Sequence, residues 1–265
     1  MSEAKIKIGT SGYSFADWVG PFYPPGTRAS EFLAYYATHF DTVEVNSTYY
    51  RIPHPRVMEQ MERKTPPQFR FVVKLHQAMT HERSLARPLY DEFLAVLEPL
   101  KEAGKYDGLL AQFPWGFRRT DENRRHLAAL RERLADEPLF VEFRHASWLT
   151  PALEPSLKAA HMGYCAVDEP RLDGLLPPIT MVTAEDAYVR FHGRNAETWW
   201  GKTGGDRYDW SYSEAELKEW LEKIADLAAK ARRTYLFFNN CHAGQAARSA
   251  KLMQELLRQQ QQLKT

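Results

Sequence analysis

Charged and polar residues recur at alternate positions inside several short apolar runs of the chain. The pairs formed in this way are Glu44 with Asn46, Lys74 with His76, Glu142 with Arg144, and Arg190 with His192. Paired carboxylates can carry out acid–base chemistry on a glycosidic or phosphate ester bond. Arginine and lysine bind carboxylate and phosphate oxygens. These residue types together predict a site that acts on an anionic substrate.

Four side chains are candidates for acid–base catalysis: Glu44, Glu142, Asp168 and His192. Glu44 is the preferred base, because Glu142 stands two residues from Arg144 and is close enough to pair with it. His192 would act as the acid or as an orienting donor. The alternative is an interior lattice of ion pairs, in which the carboxylates only balance the charges of Lys74, Arg144 and Arg190.

A second set of residues is predicted to bind the substrate. It comprises Trp18, Tyr49, Lys74, Gln112, Arg144, Trp148, Arg190, Asn239 and Asn240. Arg190 is expected to be a principal anion contact. The segment NNCHAG, residues 239–244, opens the last predicted helix, where backbone N–H groups would support an anion. The alternative for this segment is an asparagine cap followed by a tight turn at Gly244.

The loops after the first and seventh apolar runs are rich in aromatic residues, among them Trp18, Tyr23, Trp199, Trp200, Tyr208 and Trp210. Long aromatic loops on a barrel are typical of a lid or a ligand clamp. The alternative is a small satellite core over the barrel end. Gly204 and Gly205 would provide a hinge in the second loop.

Metal-binding signals are weak in this sequence. Five histidines fall near the ends of separate runs: His76, His81, His145, His192 and His242. There is no HExxH motif and no cysteine–histidine cluster, and the two cysteines, Cys165 and Cys241, are far apart. We therefore predict no metal and no cofactor. A metal-dependent, endonuclease-like barrel stays open as an alternative, by analogy of fold alone.

Eight strand-like runs must position these residues. They are residues 5–12, 41–47, 69–76, 107–114, 139–145, 163–169, 187–194 and 234–240. Helical spacing of apolar residues separates most of them, and Ser213 with Glu216 forms a capping-box signal. Strands that alternate with helices indicate a parallel sheet. We predict an α/β fold, a (β/α)8 TIM-type barrel in one domain, residues 1–265, with an irregular unit between strands six and seven.

The period-two alternation within each strand predicts which residues face the barrel interior. Helices cover the outer face of a closed barrel, so the apolar positions point outward and the polar positions inward. On this basis a single cavity at the carboxyl ends of the strands is surrounded by Glu44, Lys74, Glu142, Arg144, Asp168, Arg190 and His192. On strand six, this places Ala166 and Asp168 inside.

The length and charge of the chain narrow the class of protein. The 265 residues suit one barrel, which needs about 250. Thirty-five basic and 34 acidic residues give a formal charge of +1, which argues against a strongly basic nucleic-acid coat protein. No apolar stretch approaches the roughly 18 residues of a membrane span. We expect a soluble, cytoplasmic protein without a membrane partner; the oligomeric state is open.

Several motifs together resemble one known family, the YecE-like proteins, a family of unknown function with a TIM-barrel fold. The matching segments are IGTSGYSFADWVGPFYP at 8–24, FDTVEVNSTYYRIP at 40–53, TPPQFRFVVKL at 65–75, TH at 80–81, LLAQFPWGF at 109–117, VEFRHASW at 141–148, YVRFHGR at 188–194 and YLFFNNCHAGQAARSA at 235–250. They extend over nearly the whole chain. The resemblance implies the barrel and assigns no reaction.

The residues and the predicted fold together lead to one functional hypothesis and two alternatives. The hypothesis is a hydrolase that acts on a phosphate ester, a nucleotide or a nucleic-acid end at the carboxyl face of the barrel; lyase or isomerase chemistry fits the same residues. The first alternative is a non-catalytic barrel that binds a small-molecule or nucleic-acid anion. The second is the metal-dependent barrel.

Overall fold

All eight predicted strands form in the computed structural model, which describes residues 5–201 and 206–262. They are β1 (Ile6–Thr10), β2 (Thr42–Val45), β3 (Arg70–Lys74), β4 (Tyr106–Gln112), β5 (Leu139–Glu142), β6 (Met162–Asp168), β7 (Ala187–Phe191) and β8 (Thr234–Phe238). Every paired neighbour runs parallel, and β1 pairs with β8, the last strand. The predicted TIM-type barrel is confirmed.

The barrel closes at a seam between β1 and β2. One parallel bridge joins Ser11 to Glu44 there. Below it, the hydroxyl of Tyr36 takes the place of a ladder bond: it accepts from the backbone N–H of Thr10 at 2.8 Å and donates to the carbonyl of Thr42 at 3.1 Å. A Cβ atom on Gly9 would overlap that carbonyl, so glycine permits the close approach of the two strands.

Eleven helices are found in the described part of the chain. They are α1 (Phe32–Tyr36), α2 (Ser47–Tyr50), α3 (Pro55–Arg63), α4 (Gln77–Thr80), α5 (Arg87–Ala95), α6 (Glu98–Glu102), α7 (Asp121–Arg133), α8 (Leu153–Ala159), α9 (Glu214–Lys218), α10 (Leu221–Lys230) and α11 (Gln245–Gln262). The predicted capping box at Ser213 and Glu216 starts α9. None of these helices is long and apolar enough to cross a membrane.

The connection between β6 and β7 is irregular, as predicted. Residues 169–186 are all described and contain turns and bends but no helix. Thr183 anchors the segment, since its hydroxyl accepts from the backbone N–H of Tyr164 and donates to the carbonyl of Met162. The same segment carries Glu169 and Leu175 to the carboxyl end of the barrel, so the missing helix is replaced by a site-forming loop.

The interior of the barrel is arranged in layers along its axis. At the amino end, Asp107 accepts from Arg233 at 2.7 Å and from the hydroxyl of Tyr235 at 2.5 Å. Aromatic rings come next, with Phe140 and Tyr188 4.6 Å apart between ring centroids. Ionised side chains fill the carboxyl half. The barrel therefore has no purely aliphatic plug, and its charged layer lies directly beneath the carboxyl-end loops.

Candidate functional site

Arg190, on β7, is the centre of the charged layer. Its Nη1 donates to Oε2 of Glu142 at 2.7 Å, and its Nη2 donates to Oε1 of Glu44 at 2.7 Å. The other oxygen of Glu44 accepts from the hydroxyl of Tyr188 at 2.6 Å. All these side chains are buried, and Glu44 and Glu142 have no exposed surface. The two carboxylates predicted to be catalytic are thus held by an arginine between them.

Arg144 extends this lattice toward the cavity. Its Nε donates to Oε1 of Glu142, and its Nη1 donates to Oε2 of Glu169 at 3.3 Å. Burial opposes ionisation of Glu142, but the charges of Arg144 and Arg190 outweigh burial and hold the pKa of Glu142 well below its usual range. Burial raises the pKa of Glu169 to about 7, in spite of Arg144. The lattice therefore contains one firmly ionised carboxylate and one that titrates near neutrality.

His192 is a buried member of the same lattice. Burial first, and then the charge of Arg144, lower its pKa to about 3, so the imidazole is neutral at pH 7. Nδ1 lies 3.0 Å from the amide of Asn239 and 3.4 Å from Nη2 of Arg144. Because an arginine can only donate, Nδ1 must be the acceptor and Nε2 carries the proton. Nε2 lies 3.2 Å from Oε1 of Glu142, outside good hydrogen-bond alignment.

A cavity of about 270 Å³ lies above the lattice at the carboxyl ends of the strands. Its wall combines cationic, aromatic and neutral polar side chains: Tyr49, Tyr50, Lys74, His81, Gln112, Pro114, Trp115, Arg144, Leu175, Trp199, Trp200, Arg207 and Tyr208. No aspartate or glutamate is among the described lining residues. Of the predicted site residues, the structure brings together Lys74, Gln112, Arg144 and Tyr49 at this cavity.

Lys74, at the end of β3, is a half-buried cation of the cavity wall. Its Nζ lies 4.4 Å from the centre of the Tyr49 ring and pairs with no carboxylate among the residues that the structure describes. Burial, followed by the charge of Arg190, lowers the pKa of Lys74 to about 7. At neutral pH this side chain is therefore divided between ammonium and free amine.

Two further hydrogen-bond donors on the wall have no acceptor. They are Nε1 of Trp115 and Nε of Arg207, both buried and without a hydrogen-bond partner among the described residues. Trp199 lies between two guanidinium groups, with the Cζ atoms of Arg144 and Arg207 each 6.0 Å from its ring centroid. The cavity thus presents donors and aromatic surface, and lacks a matching set of acceptors.

The prediction for Asp168 is wrong: this residue points away from the barrel interior. In the strand register Asp168 pairs with Phe191, whereas Val167 pairs with the inward-facing Arg190. The carboxylate accepts from Arg194 at 2.7 and 2.8 Å and from the indole of Trp220 at 2.5 Å. The inner face of β6 instead carries Cys165, whose sulfur lies 3.8 Å from Oε2 of Glu142. The inner residues of β6 are apolar and its one charged residue lies on the outer face, so alternation gave the wrong orientation.

Five predicted binding residues lie outside the cavity wall: Arg190 and Asn239 belong to the lattice, and the other three pack elsewhere. Trp18 packs in a cluster with Phe22 and Tyr23, the predicted alternative of a satellite core. Trp148 stacks on Phe143 on the outside of the barrel, with ring centroids 4.2 Å apart. Asn240 is buried, and its amide donates to the carbonyl of Trp210. Local sequence could not separate these packing roles from ligand contact, because both use the same residue types.

The predicted anion site at residues 239–244 is already occupied by a side chain of this protein. The carboxylate of Asp17 accepts from the backbone N–H of Ala243 at 2.7 Å. The indole of Trp18 donates to the carbonyl of Cys241 at 2.6 Å. The loop after β1 therefore covers this turn. Asn239 faces the interior, and its amide nitrogen lies 3.0 Å from Nδ1 of His192. Of the two asparagines, only Asn239 therefore belongs to the lattice.

Sequence reasoning did not select Trp115 and Arg207 of the wall, and it considered His81 only as a weak metal ligand. It also missed Glu169, which pairs with Arg144 but does not line the cavity. Trp115 follows β4 by three residues, and a loop residue directly after a barrel strand is a usable signal. Arg207 had no such signal, because it stands in a long loop. The predicted hinge, Gly204 and Gly205, lies outside the described residues.

Within residues 5–201 and 206–262, no group of three His, Cys, Asp or Glu side chains is arranged to hold a metal ion. The buried carboxylates are engaged by arginine, as described for Glu44 and Glu142. The arrangement provides a cationic, donor-rich cavity on a rigid ionic floor. Chemically it suits recognition of an anion, with the amine of Lys74 on the cavity wall.

The fold and the site together define a TIM barrel with a lattice of ion pairs in its carboxyl half. The chain belongs to the family described as protein of unknown function DUF72, which it matches over residues 7–265. It is 33% identical over 269 residues to the UPF0759 protein YunF of Bacillus subtilis, with 95% of this chain and 94% of that protein covered. The resemblance to YecE-like proteins is thereby confirmed.

Other relatives agree with this assignment. The UPF0759 protein YecE of Escherichia coli K12 is 33% identical over 97 residues, 36% of this chain and 33% of that protein. A crystal structure of a DUF72 family protein from Thermotoga maritima is similar with a TM-score of 0.89 and 41% identity, covering 96% of this chain and 100% of that one. A DUF72 family protein from Enterococcus faecalis gives a TM-score of 0.85 with 28% identity, covering 96% and 95%.

Proposed function

We propose that the cavity at the carboxyl end of the barrel binds a small organic anion, with a phosphate ester as the first class to test, and that the protein is an enzyme acting on it. The observation that carries this proposal is a set of cavity donors without acceptors: the buried atoms Nε1 of Trp115 and Nε of Arg207 have no hydrogen-bond partner among the described residues. The half-buried Lys74 beside them pairs with no described carboxylate. Buried donors without partners are costly, and an anion would supply the acceptors.

The size and lining of the cavity support one small ligand or one nucleotide unit. Its volume of about 270 Å³ is close to the lower end of the usual range of ligand pockets, roughly 300–1,000 Å³. The rings of Trp115, Trp199 and Trp200 offer flat apolar surface beside the cations. A phosphate or carboxylate attached to a sugar, a base or another flat group fits this combination.

We propose different roles for the polar residues than the sequence suggested. Glu44 and His192 act as supports beneath the cavity, since neither has exposed surface and both are engaged in the lattice. Lys74, Arg144 and Arg207 contact the anion. Gln112, whose amide donates to the carbonyl of Phe113, leaves its side-chain oxygen for a neutral polar group of the ligand.

The test is calorimetric titration with sulfate and with ribose 5-phosphate, using ribose as the uncharged match. Arg207→Ala should weaken binding of the anions about 10- to 150-fold, which corresponds to the roughly 1.5–3 kcal/mol of a hydrogen bond to a charged group. Arg87→Ala, on the exposed side of α5, is the matched control and should leave affinity unchanged. Arg190→Ala is unsuitable, because it would break the lattice.

The result that would overturn the proposal is a wild-type protein that binds neither anion. Equal affinity for ribose and ribose 5-phosphate would likewise show that the cavity does not recognise the negative charge. A second candidate, a barrel that binds the anion without catalysis, is favoured by one observation: no described carboxylate lines the cavity to act as a base. Turnover of a bound phosphate ester would exclude it.

A further inference from the structure

Lys74, which is half-buried on the cavity wall, differs from the buried lysines of the described chain in what surrounds its amine. Nζ of Lys7 donates to Asp41 at 2.8 Å, and Nζ of Lys105 donates to Glu62 at 2.9 Å. Lys74 pairs with no described carboxylate and faces an open cavity instead. A carboxylate partner keeps a buried lysine charged, whereas a lysine without one loses its proton more readily.

The charged neighbours of Lys74 act in both directions, since Arg190 and Arg144 lower its pKa and Glu44 and Glu142 raise it. Glu44 and Glu142 are nearby, but both are already paired with Arg190. The groups that face the amine from adjacent elements are the ring of Tyr49, the imidazole of His81 and the guanidinium of Arg144. Burial lowers the pKa of His81 to about 4, so this histidine is neutral at pH 7 and supplies no counter-charge.

We propose that Lys74 is a nucleophile that forms an imine with an anionic aldehyde or ketone bound in the cavity. This inference rests on the proposed function, since Arg144 and Arg207 would hold the negative group while the carbonyl carbon reaches the amine. A lysine amine desolvated beside other cations is an established means of generating such a nucleophile. The cavity wall places the amine and both guanidiniums around one space.

The atoms of the step balance without any further reactant. The free amine of Lys74 adds its electron pair to the carbonyl carbon, and a C–N bond forms. The carbonyl oxygen then leaves with the two amine protons as water, which yields the C=N bond. Because the protonated imine draws electrons from the adjacent carbon, the site would serve lyase or aldol chemistry on a small phosphorylated carbonyl compound.

Reductive trapping tests this inference on the wild-type protein. Incubation with glycolaldehyde phosphate and sodium borohydride, followed by intact mass and peptide mapping, should place one adduct on Lys74. Its labelling should be half-maximal near pH 7, where the pKa of Lys74 lies. Lys158, an exposed lysine of α8, is the internal reference and should label more slowly than Lys74, because no cavity holds the aldehyde beside it.

Variants separate the nucleophile from the anion site. Lys74→Arg keeps the charge and should abolish the specific adduct while sulfate still binds, and Lys158→Arg should label like the wild type. Glycolaldehyde without phosphate should label Lys74 at least tenfold more slowly. Absence of an adduct on Lys74, or labelling no faster than that of Lys158, would overturn the inference. If sulfate binds in that case, the proposed function stands; if sulfate does not bind either, both fail.

Discussion

Glu142 is the residue on which the lattice most depends. It accepts from both Arg144 and Arg190, and removal of one partner leaves buried charge without compensation. Glu142→Gln should therefore lower the free energy of unfolding by about 3–5 kcal/mol, measured by urea denaturation at pH 7. The matched control is Glu154→Gln, which removes an exposed pair with Lys158 and should change stability by about 0.5 kcal/mol or less.

The difference in unfolding free energy between the wild type and Glu142→Gln also has a predicted pH dependence. The folded pKa of Glu142 lies well below the ordinary value of 4.5. A carboxyl group with a depressed pKa contributes stability above the unfolded pKa, and this stability disappears as pH falls through the folded value. The difference between wild type and Glu142→Gln should shrink only below about pH 4. If Glu142→Gln lowers the free energy of unfolding at pH 7 by no more than Glu154→Gln does, Glu142 does not have this central role.

Sulfate affinity is predicted to fall as pH rises from 6 to 8.5. Lys74 loses its proton near pH 7 and Glu169 gains negative charge near pH 7, so both changes oppose an anion at higher pH. Sulfate keeps its charge over this range, which phosphate does not. Lys74→Arg should remove the lysine part of the dependence, and Glu169→Gln should remove the other part. An affinity independent of pH in the wild type would be inconsistent with this titration.

At the scale of elements, the seam between β1 and β2 depends on a side chain instead of a continuous ladder. Tyr36→Phe leaves the buried N–H of Thr10 and the carbonyl of Thr42 without this partner, and should lower the free energy of unfolding by about 1–3 kcal/mol. Tyr50→Phe, on a ring that is 73% exposed, is the control and should be neutral. Equal urea midpoints for both variants would show that the hydroxyl does not support closure.

The elements themselves were largely predictable from sequence. Alternation assigned an inner face to six strands, β2 to β7, and this assignment holds for all of them except β6; all eight runs became strands. β6 was misread because its inner residues, Cys165 and Val167, are apolar, whereas the polar Asp168 lies on its outer face and pairs there with Arg194. Its orientation depends on the register with β7, where Val167 lies beside Arg190. That register is a tertiary property.

The candidate site was predictable for residues at the strand ends, and in part from residue type alone, for Tyr49 on α2 and the loop aromatics Trp199, Trp200 and Tyr208. Lys74, Arg144 and Gln112 followed from strand parity and do line the cavity. Trp115 and Arg207 did not, because loops have no periodicity that fixes where their side chains point. Trp148 was misplaced for a related reason: a tryptophan stacking on the outer face of the barrel and one stacking on a ligand look alike in sequence.

At the scale of the whole molecule, the formal charge of +1 limits how a nucleic acid could bind. On the proposed function, the attraction comes from the local cations Lys74, Arg144 and Arg207. For a 5′-phosphorylated single-stranded oligonucleotide, three such contacts predict a slope of log affinity against log salt of about −2. Fluorescence anisotropy at several salt concentrations measures it, with the unphosphorylated oligonucleotide as control. A slope of about −6 would require an extended basic surface instead.

The ionic filling of the barrel also has a consequence for temperature. Water solvates charged groups less favourably as it is heated, so the penalty for removing Glu44, Glu142 and Arg190 from water declines on warming. Stabilisation by an aliphatic plug, in contrast, reaches a plateau per unit of buried area. The contribution of this lattice to the free energy of folding, relative to that of apolar packing, therefore grows as the temperature rises. The carboxyl half of the barrel gains more from its ion pairs in warm conditions than in cold ones.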